Sequence, residues 1–307
     1  MTASTTTTAA TTAAPPRPGF VKTWMLAARP ATLPAAAVPV LVGSGAAAGA
    51  GDFNVFVLVA AMLAALLIQI GTNFANDVFD FERGADTDDR LGPPRVTHAG
   101  LLAPRDVRFG MAATFGSAAL LGLYLAWVGG WPIIAIGVAS IVAGVAYTGG
   151  PWPFGYHGLG DAFVFVFFGL VAVCGTYYLH TGNVSGLSVA AGSAVGFLIT
   201  AILVVNNLRD RATDARTGKR TLAVRLGDRA SRWQYAALLA GAYAIAVAMA
   251  VVASWWLLLP LLSLPLAARV ASLVLRGVDG RALNLTLKGT ARLTLVFGVL
   301  LAVGFML

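Results

Sequence analysis

Nine stretches of this chain are apolar over nearly the length that crosses a lipid bilayer, and no soluble fold buries that many. They run at about 31–50, 54–76, 108–128, 131–148, 161–180, 187–207, 233–253, 255–275 and 289–306, each near the ~20 residues that span the hydrocarbon core. In lipid, every backbone polar group must be satisfied inside a helix or a closed barrel. None of the stretches alternates with a period of two, so the expectation is helices. They are rich in Gly, Ala and Ser, which lets helix backbones approach closely. Pro34 and Pro39 fall in the first stretch, where neighbouring helices can satisfy the backbone groups they free. Composition agrees: 58% of residues are hydrophobic and 11% charged, against about 25% charged in a soluble domain. The expected fold class is all-α, a polytopic membrane protein with nine transmembrane helices.

Placement of the basic residues orients such a bundle. With the N-terminus in the cytoplasm and the spans alternating, all 21 Lys and Arg residues fall in cytoplasmic segments. The opposite loops, near 51–53, 129–130, 181–186 and 254, hold none. The net charge of +8 is therefore mostly a topology signal, and a nucleic-acid partner is not expected. Residues 1–22 are rich in Thr, Ala and Pro and lack a signal-peptide core, so they are expected to be a disordered cytoplasmic tail ahead of a membrane domain at 23–307. The single cysteine, Cys174, lies in an apolar stretch and excludes a disulfide framework.

Acidic residues are as unevenly placed. Seven of the thirteen lie between 77 and 106. Asn73, Asn76, Asp77 and Asp80 occupy the last turns of an apolar helix. Asn76 and Asp80 share one helix face, as do Asn73 and Asp77. The segment Asn206-Asn207-Leu208-Arg209-Asp210 ends a second apolar helix on the same side, with Asp214 one turn on and Arg216, Lys219 and Arg220 following. Amides and carboxylates at a membrane helix end are expensive unless they face a wet cavity or bind something. Hard oxygen ligands of this kind suit Mg²⁺ held jointly with substrate phosphates, and the adjacent Arg and Lys suit phosphate oxygens. Neither segment has the ligand pattern of an EF-hand calcium loop. A cation transporter remains an alternative, since buried carboxylates also mark ion paths; the Arg-rich loops oppose it by repelling a cation.

These residues carry a specific resemblance. Asn76-Asp77-Val78-Phe79-Asp80 and Asp210-Arg211-Ala212-Thr213-Asp214, about 130 residues apart, resemble the two aspartate-rich motifs of the UbiA superfamily of intramembrane prenyltransferases. Four further stretches resemble its 1,4-dihydroxy-2-naphthoate polyprenyltransferase branch. They are Arg29-Pro30-Ala31-Thr32-Leu33-Pro34; Asn73 to Asp86 continuing through Asp88-Asp89-Arg90 to Arg95; Tyr147-Thr148-Gly149-Gly150-Pro151 with Gly155 to Asp161; and Asn206 to Asp210 with Gly218-Lys219-Arg220-Thr221-Leu222. A third aspartate common in the first motif is replaced by Gly84, with Asp86 two residues on, so Asp86 is not counted among the ligands.

The resemblance implies a UbiA-type bundle and a Mg²⁺-dependent transfer of a polyprenyl group from its diphosphate to 1,4-dihydroxy-2-naphthoate, with loss of the ring carboxylate, in the synthesis of menaquinone at the cell membrane. It implies that Asp77, Asp80, Asp210 and Asp214 hold the metal, that Asn76 and Asn206 orient its surroundings, and that Arg90, Arg95, Lys219 and Arg220 contact diphosphate. Asn73, Tyr147 and Tyr156 fall near the substrates, and Arg29 meets either the naphthoate carboxylate or lipid headgroups. Phe163, Phe165, Phe167 and Phe168 either line an apolar groove for the prenyl chain or only pack. Other acceptors, such as 4-hydroxybenzoate or homogentisate, remain alternatives.

Overall fold

The computed structural model describes residues 18–87 and 89–307; the rest of the expected tail, with Arg17, and Asp88 lie outside these. Among the described residues the chain is helical throughout, without a strand. The first helix, α1, covers Phe20–Ala28, so residues 20–22, expected as tail, form its first turn, where Phe20 packs edge-on against Trp24 at 6.2 Å. A proline disfavours the helical region for the residue before it. Arg29, preceding Pro30, accordingly ends α1 and caps it in the left-handed conformation at φ 52°, its amide donating to the Met25 carbonyl. The chain then bends by 51° into α2, Pro34–Gly49.

Among the described residues, seven helices are long and apolar enough to cross a bilayer, or eight with α1 and α2 counted as one broken span. They include α3 at Val55–Glu82 and α4 at Pro104–Gly129. The span Gly160–Thr181 comprises α6 at Gly160–Val164, a π-helical stretch at Phe165–Val171 and α7 at Ala172–Thr181. Then come α8 at Gly186–Arg216 and α9 at Leu222–Val252. The last two are Trp255–Leu275, ending in α10 at Leu264–Leu275, and Gly280–Met306, containing α11 at Leu283–Met306. The expected count of nine is not reproduced by length. The fourth expected span, α5 at Trp131–Ala146, has 16 residues, about 24 Å of helix against ~30 Å of hydrocarbon. The Gly149-Gly150-Pro151 segment ends it early. Large apolar side chains cover the outside: Trp127, Leu120, Leu123, Trp131, Val252 and Trp255 are all exposed. In water that surface would aggregate; in a bilayer it is the correct outer face.

The centre is α8, whose Val195, Leu198 and Ile199 pack with Val38, Tyr235 and Phe297. It meets the π-helical stretch at a glycine crossing. A Cβ on Gly169 would lie 2.6 Å from the Gly192 carbonyl oxygen and the Gly196 Cα, distances only a backbone shift could relieve. Gly169→Val is therefore expected to destabilise the fold by about 1–3 kcal/mol or more, read as a lower Tm in detergent. Gly175→Ala, whose Cβ would meet Ile136 at an ordinary 3.5 Å, is expected to leave Tm nearly unchanged.

Candidate active site

Both acidic motifs sit on extensions of apolar helices, so they reach the same end of the bundle. α3 carries Asn73, Asn76, Asp77 and Asp80 on its last turns, and α8 carries Asn206, Asp210 and Asp214. The loop after α3 folds back over them. The Val96 and Thr97 amides donate to Asp77 at 3.1 and 3.0 Å, and the Arg29 guanidinium stands 3.8 Å from it. Asp77, only 1% exposed, thus fixes the loop, while each oxygen keeps a second lone pair.

Asp80 is where three loops meet. Arg95 binds it at 2.7 Å, the Tyr156 hydroxyl donates to it at 2.8 Å, and the Lys219 ammonium lies 3.8 Å away. The Arg220 amide donates to the Tyr156 carbonyl at 3.0 Å, and the Lys219 ammonium sits 5.1 Å above the Tyr156 ring. Burial lowers the lysine's affinity for its proton, but Asp80 and Asp214 raise it further, so the net shift is upward and Lys219 stays charged. Burial and the neighbouring Asp80 push the Tyr156 phenol up. Tyr156 is therefore a donor that props Asp80 and Lys219.

The second motif is held by its own arginine. Arg209 grips Asp210 through two bonds of 2.8 and 2.5 Å, and also donates to Asn206 at 2.9 Å and to Asn284 on α11 at 2.8 Å. The Asn284 amide donates on to the Leu91 carbonyl at 2.9 Å, tying the first loop to the second. A Cβ on Gly92 would meet the Arg209 guanidinium at 2.7 Å. Asn76 accepts from Thr148 at 3.0 Å. Asn73 donates to the Ala28 carbonyl and to Thr32, both at 2.9 Å, stapling the α1–α2 corner to α3. Of the expected phosphate-binding residues, Arg90 pairs with Asp86 at 2.6 Å, while Arg220 points outward and contributes its backbone. His157 stacks on Trp152, and His180 lies at the opposite end against Ser44 and Asn54.

Asp86 is buried beside Arg90 and Arg95. Burial pushes its carboxyl from the ordinary 3.8 to about 6, against the pull of Arg90. A carboxyl raised on folding binds its proton more tightly in the folded chain, so its charge weakens the fold as pH rises from about 4 to 6 and the loss persists above that. Asp86→Asn is thus expected to keep Tm at pH 7 at or above the parent value and to keep kcat within about tenfold, measured by thermal unfolding and turnover.

Among the described residues, no three His, Cys, Asp or Glu side chains converge as a ready metal site. The donor set nonetheless fits a cation that arrives with a polyanion. Asp80 and Asp210 both lie within electrostatic reach of Asp214. The buried Arg29 Nη2 and Arg95 Nη1 have no hydrogen-bond partner among the described residues. Hard carboxylate oxygens and spare guanidinium donors are what a magnesium–diphosphate pair takes.

Beneath this cluster lies a cavity of about 130 Å³ lined by Gln69, Thr72, Tyr147, Phe154, Phe163 and Phe167 among others. It shares Ala65, Ile68 and Phe167 with a second cavity of about 280 Å³ that runs down to Leu179. The lower cavity is lined by Leu123, Ile134 and Val138, which are exposed on the outer face, so it opens sideways between α4 and α5. Tyr147 and Phe163 pack against Phe154 at 5.4 and 3.9 Å. Phe167 thus lines the groove, as do Phe163 and Phe168, while Phe165 packs against Phe197 on α8.

The chain resembles known proteins in sequence and in fold. The chain is 42% identical over 279 residues to 1,4-dihydroxy-2-naphthoate octaprenyltransferase of Mycobacterium tuberculosis, covering 91% of this chain and 95% of that one. It is 35% identical over 294 residues to the protein of that name from Escherichia coli, covering 93% and 96%. In fold it matches a UbiA homolog from Archaeoglobus fulgidus bound to DMAPP and Mg²⁺, with a TM-score of 0.65, 15% identity, and coverage of 92% of this chain and 99% of that one. The model of the UbiA prenyltransferase family matches residues 36–296, which takes in both aspartate motifs and both cavities, and the chain is a member of that family.

Proposed function

We propose that this chain transfers a polyprenyl group from its diphosphate to 1,4-dihydroxy-2-naphthoate and releases the ring carboxylate as carbon dioxide, giving demethylmenaquinone. The observation that carries the reading is the junction at Asp80. There two carboxylate motifs and their cations meet directly above an aromatic-walled apolar cavity that opens to lipid. Relatives from Mycobacterium tuberculosis and Escherichia coli with that name support the acceptor.

Asp80, Asp210 and Asp214, with the free lone pairs of Asp77, would hold Mg²⁺, which when bound neutralises charge building on the departing diphosphate. Arg95, Arg90 and Lys219 bind diphosphate oxygens and oppose the same charge. Asn76 and Asn206 hold the loops that carry these groups. The prenyl chain lies along the groove, and Phe163 and Phe167 shield its cationic end from water by their ring faces. Tyr147, at the top of the cavity, borders the acceptor. The basic helix ends support a site on the cytoplasmic side of the cell membrane. Arginine or lysine stands beside Asp77, Asp80, Asp86 and Asp210, which opposes the transport of a free cation.

Purified protein in lipid nanodiscs, given a polyprenyl diphosphate and Mg²⁺, should convert 1,4-dihydroxy-2-naphthoate to a product whose mass shows the prenyl group added and carbon dioxide lost. Prenylation of 4-hydroxybenzoate or homogentisate in preference, or a product that keeps the carboxylate, would overturn the reading.

A further inference from the structure

Gln69 lies eight residues before Asp77 on α3, about 12 Å deeper in the membrane. A chain of hydrogen bonds fixes which way its amide points. The Ala28 carbonyl can only accept, so the Asn73 nitrogen faces it at 2.9 Å. The Asn73 oxygen is then left to accept from the Gln69 nitrogen at 3.4 Å. The Thr32 hydroxyl gives its proton to the Arg29 carbonyl at 2.9 Å and accepts from the same Gln69 nitrogen at 3.2 Å. The Gln69 nitrogen is committed on both counts. Its oxygen is left over: Oε1 is buried, and it has no partner among the described residues. Gln69 is 8% exposed and lines the upper cavity.

An amide oxygen buried without a donor is unfavourable, and a polar group kept inside a membrane span marks function. The cavity around it is walled by aromatic rings, among them Tyr147, Phe154, Phe163 and Phe167. A prenyl chain has no hydrogen to donate, and a diphosphate would be repelled by a carbonyl oxygen. A hydroxylated aromatic ring fits both the walls and the oxygen. The network reaches the Arg29 backbone carbonyl, and the Arg29 side chain, beside Asp77, has a buried Nη2 without a hydrogen-bond partner among the described residues, which suits a carboxylate.

We infer that Gln69 Oε1 accepts a hydrogen bond from a ring hydroxyl of the aromatic acceptor, which makes Gln69 a specificity-determining residue. The inference rests on the naphthoate reading above. A hydroxyl held there and a carboxylate at Arg29 orient the ring from two sides beneath the diphosphate, so that one ring carbon meets the prenyl cation.

The test is the steady-state kinetics of Gln69→Leu in nanodiscs, with Gln69→Met, unbranched and of similar length, as a second variant should the first not accumulate. The KM for 1,4-dihydroxy-2-naphthoate should rise about tenfold, with the KM for the prenyl diphosphate unchanged. Inhibition by 1-hydroxy-2-naphthoate and 4-hydroxy-2-naphthoate identifies the hydroxyl. The parent should bind one of the two about tenfold more weakly than the other, and the variant should bind both alike, because the two losses are one interaction. An unchanged acceptor KM, a parallel rise in both KM values, or equal loss of both analogues on substitution overturns the inference while prenylated naphthoate still forms. Absence of that product from the parent protein overturns the enzyme reading itself, and this inference with it.

Discussion

Asp80→Asn is expected to lower kcat for prenyl transfer by about 10³-fold or more, the scale seen when a group that stabilises transition-state charge is removed. The substitution keeps size and shape, and the Tyr156 hydroxyl can still donate to the amide oxygen that replaces the carboxylate. What disappears is the one negative charge shared by Arg95 at 2.7 Å and Lys219 at 3.8 Å. Both cations are largely buried, and removing one partner of such a cluster costs about 3–5 kcal/mol. The variant should therefore show a lower Tm as well as lost turnover. Magnesium with inorganic diphosphate separates the two effects. Diphosphate supplies the missing negative charge to Arg95 and Lys219, so it should raise the variant's Tm through binding to the folded state without restoring turnover. Turnover above about a tenth of the parent value would place the chemistry away from this junction.

The contrast with Asp86→Asn shows what was readable beforehand. Both residues are aspartates in one acidic loop. The helix-face spacing of Asn73, Asn76, Asp77 and Asp80 marked Asp80 because an apolar helix fixes which residues share a face. The same logic placed Asp214 one turn beyond Asp210, and α8 does continue through both. Local periodicity and membrane thickness carry that kind of information. They do not carry partners brought together by tertiary packing. Asn284 bonds to Arg209 and to Leu91, 193 residues away in the chain, from a segment that reads as a basic loop ahead of the last apolar stretch. Tyr156 was expected near the acceptor, but its hydroxyl is spent on Asp80, a contact set by how the central loop lies over α3. Gln69, one turn before Asn73 on the same helix face, was missed although the four-residue spacing that marked Asn73 and Asp77 extends to it. The bend at Arg29 and the short α5 were missed for a different reason. A hydropathy run measures how much chain is apolar, and proline and glycine chemistry decides where the helix breaks.

Arg95 is expected to separate charge from geometry. Its guanidinium binds Asp80 at 2.7 Å, approaches Asp86 at 3.4 Å and leaves Nη1 buried without a hydrogen-bond partner. A planar fork can hold both carboxylates and still offer a donor to a diphosphate oxygen, whereas an ammonium is a point charge with one position. Arg95→Lys is therefore expected to fold with a Tm close to the parent and to lose about 10²-fold in kcat/KM, with inorganic diphosphate binding weakened in proportion. Arg95→Ala leaves Asp80 and Asp86 facing each other without the cation between them. The repulsion should favour taking up a proton, so its stability should fall as pH rises through neutrality, and kcat/KM should drop about tenfold or more below that of the lysine variant. The decisive comparison is the lysine variant's affinity for diphosphate. If Arg95→Lys binds inorganic diphosphate as tightly as the parent and turns over as fast, Arg95 is only the counter-ion of Asp80 and Asp86, and the diphosphate is held from the opposite side of the junction by Lys219 and Arg90.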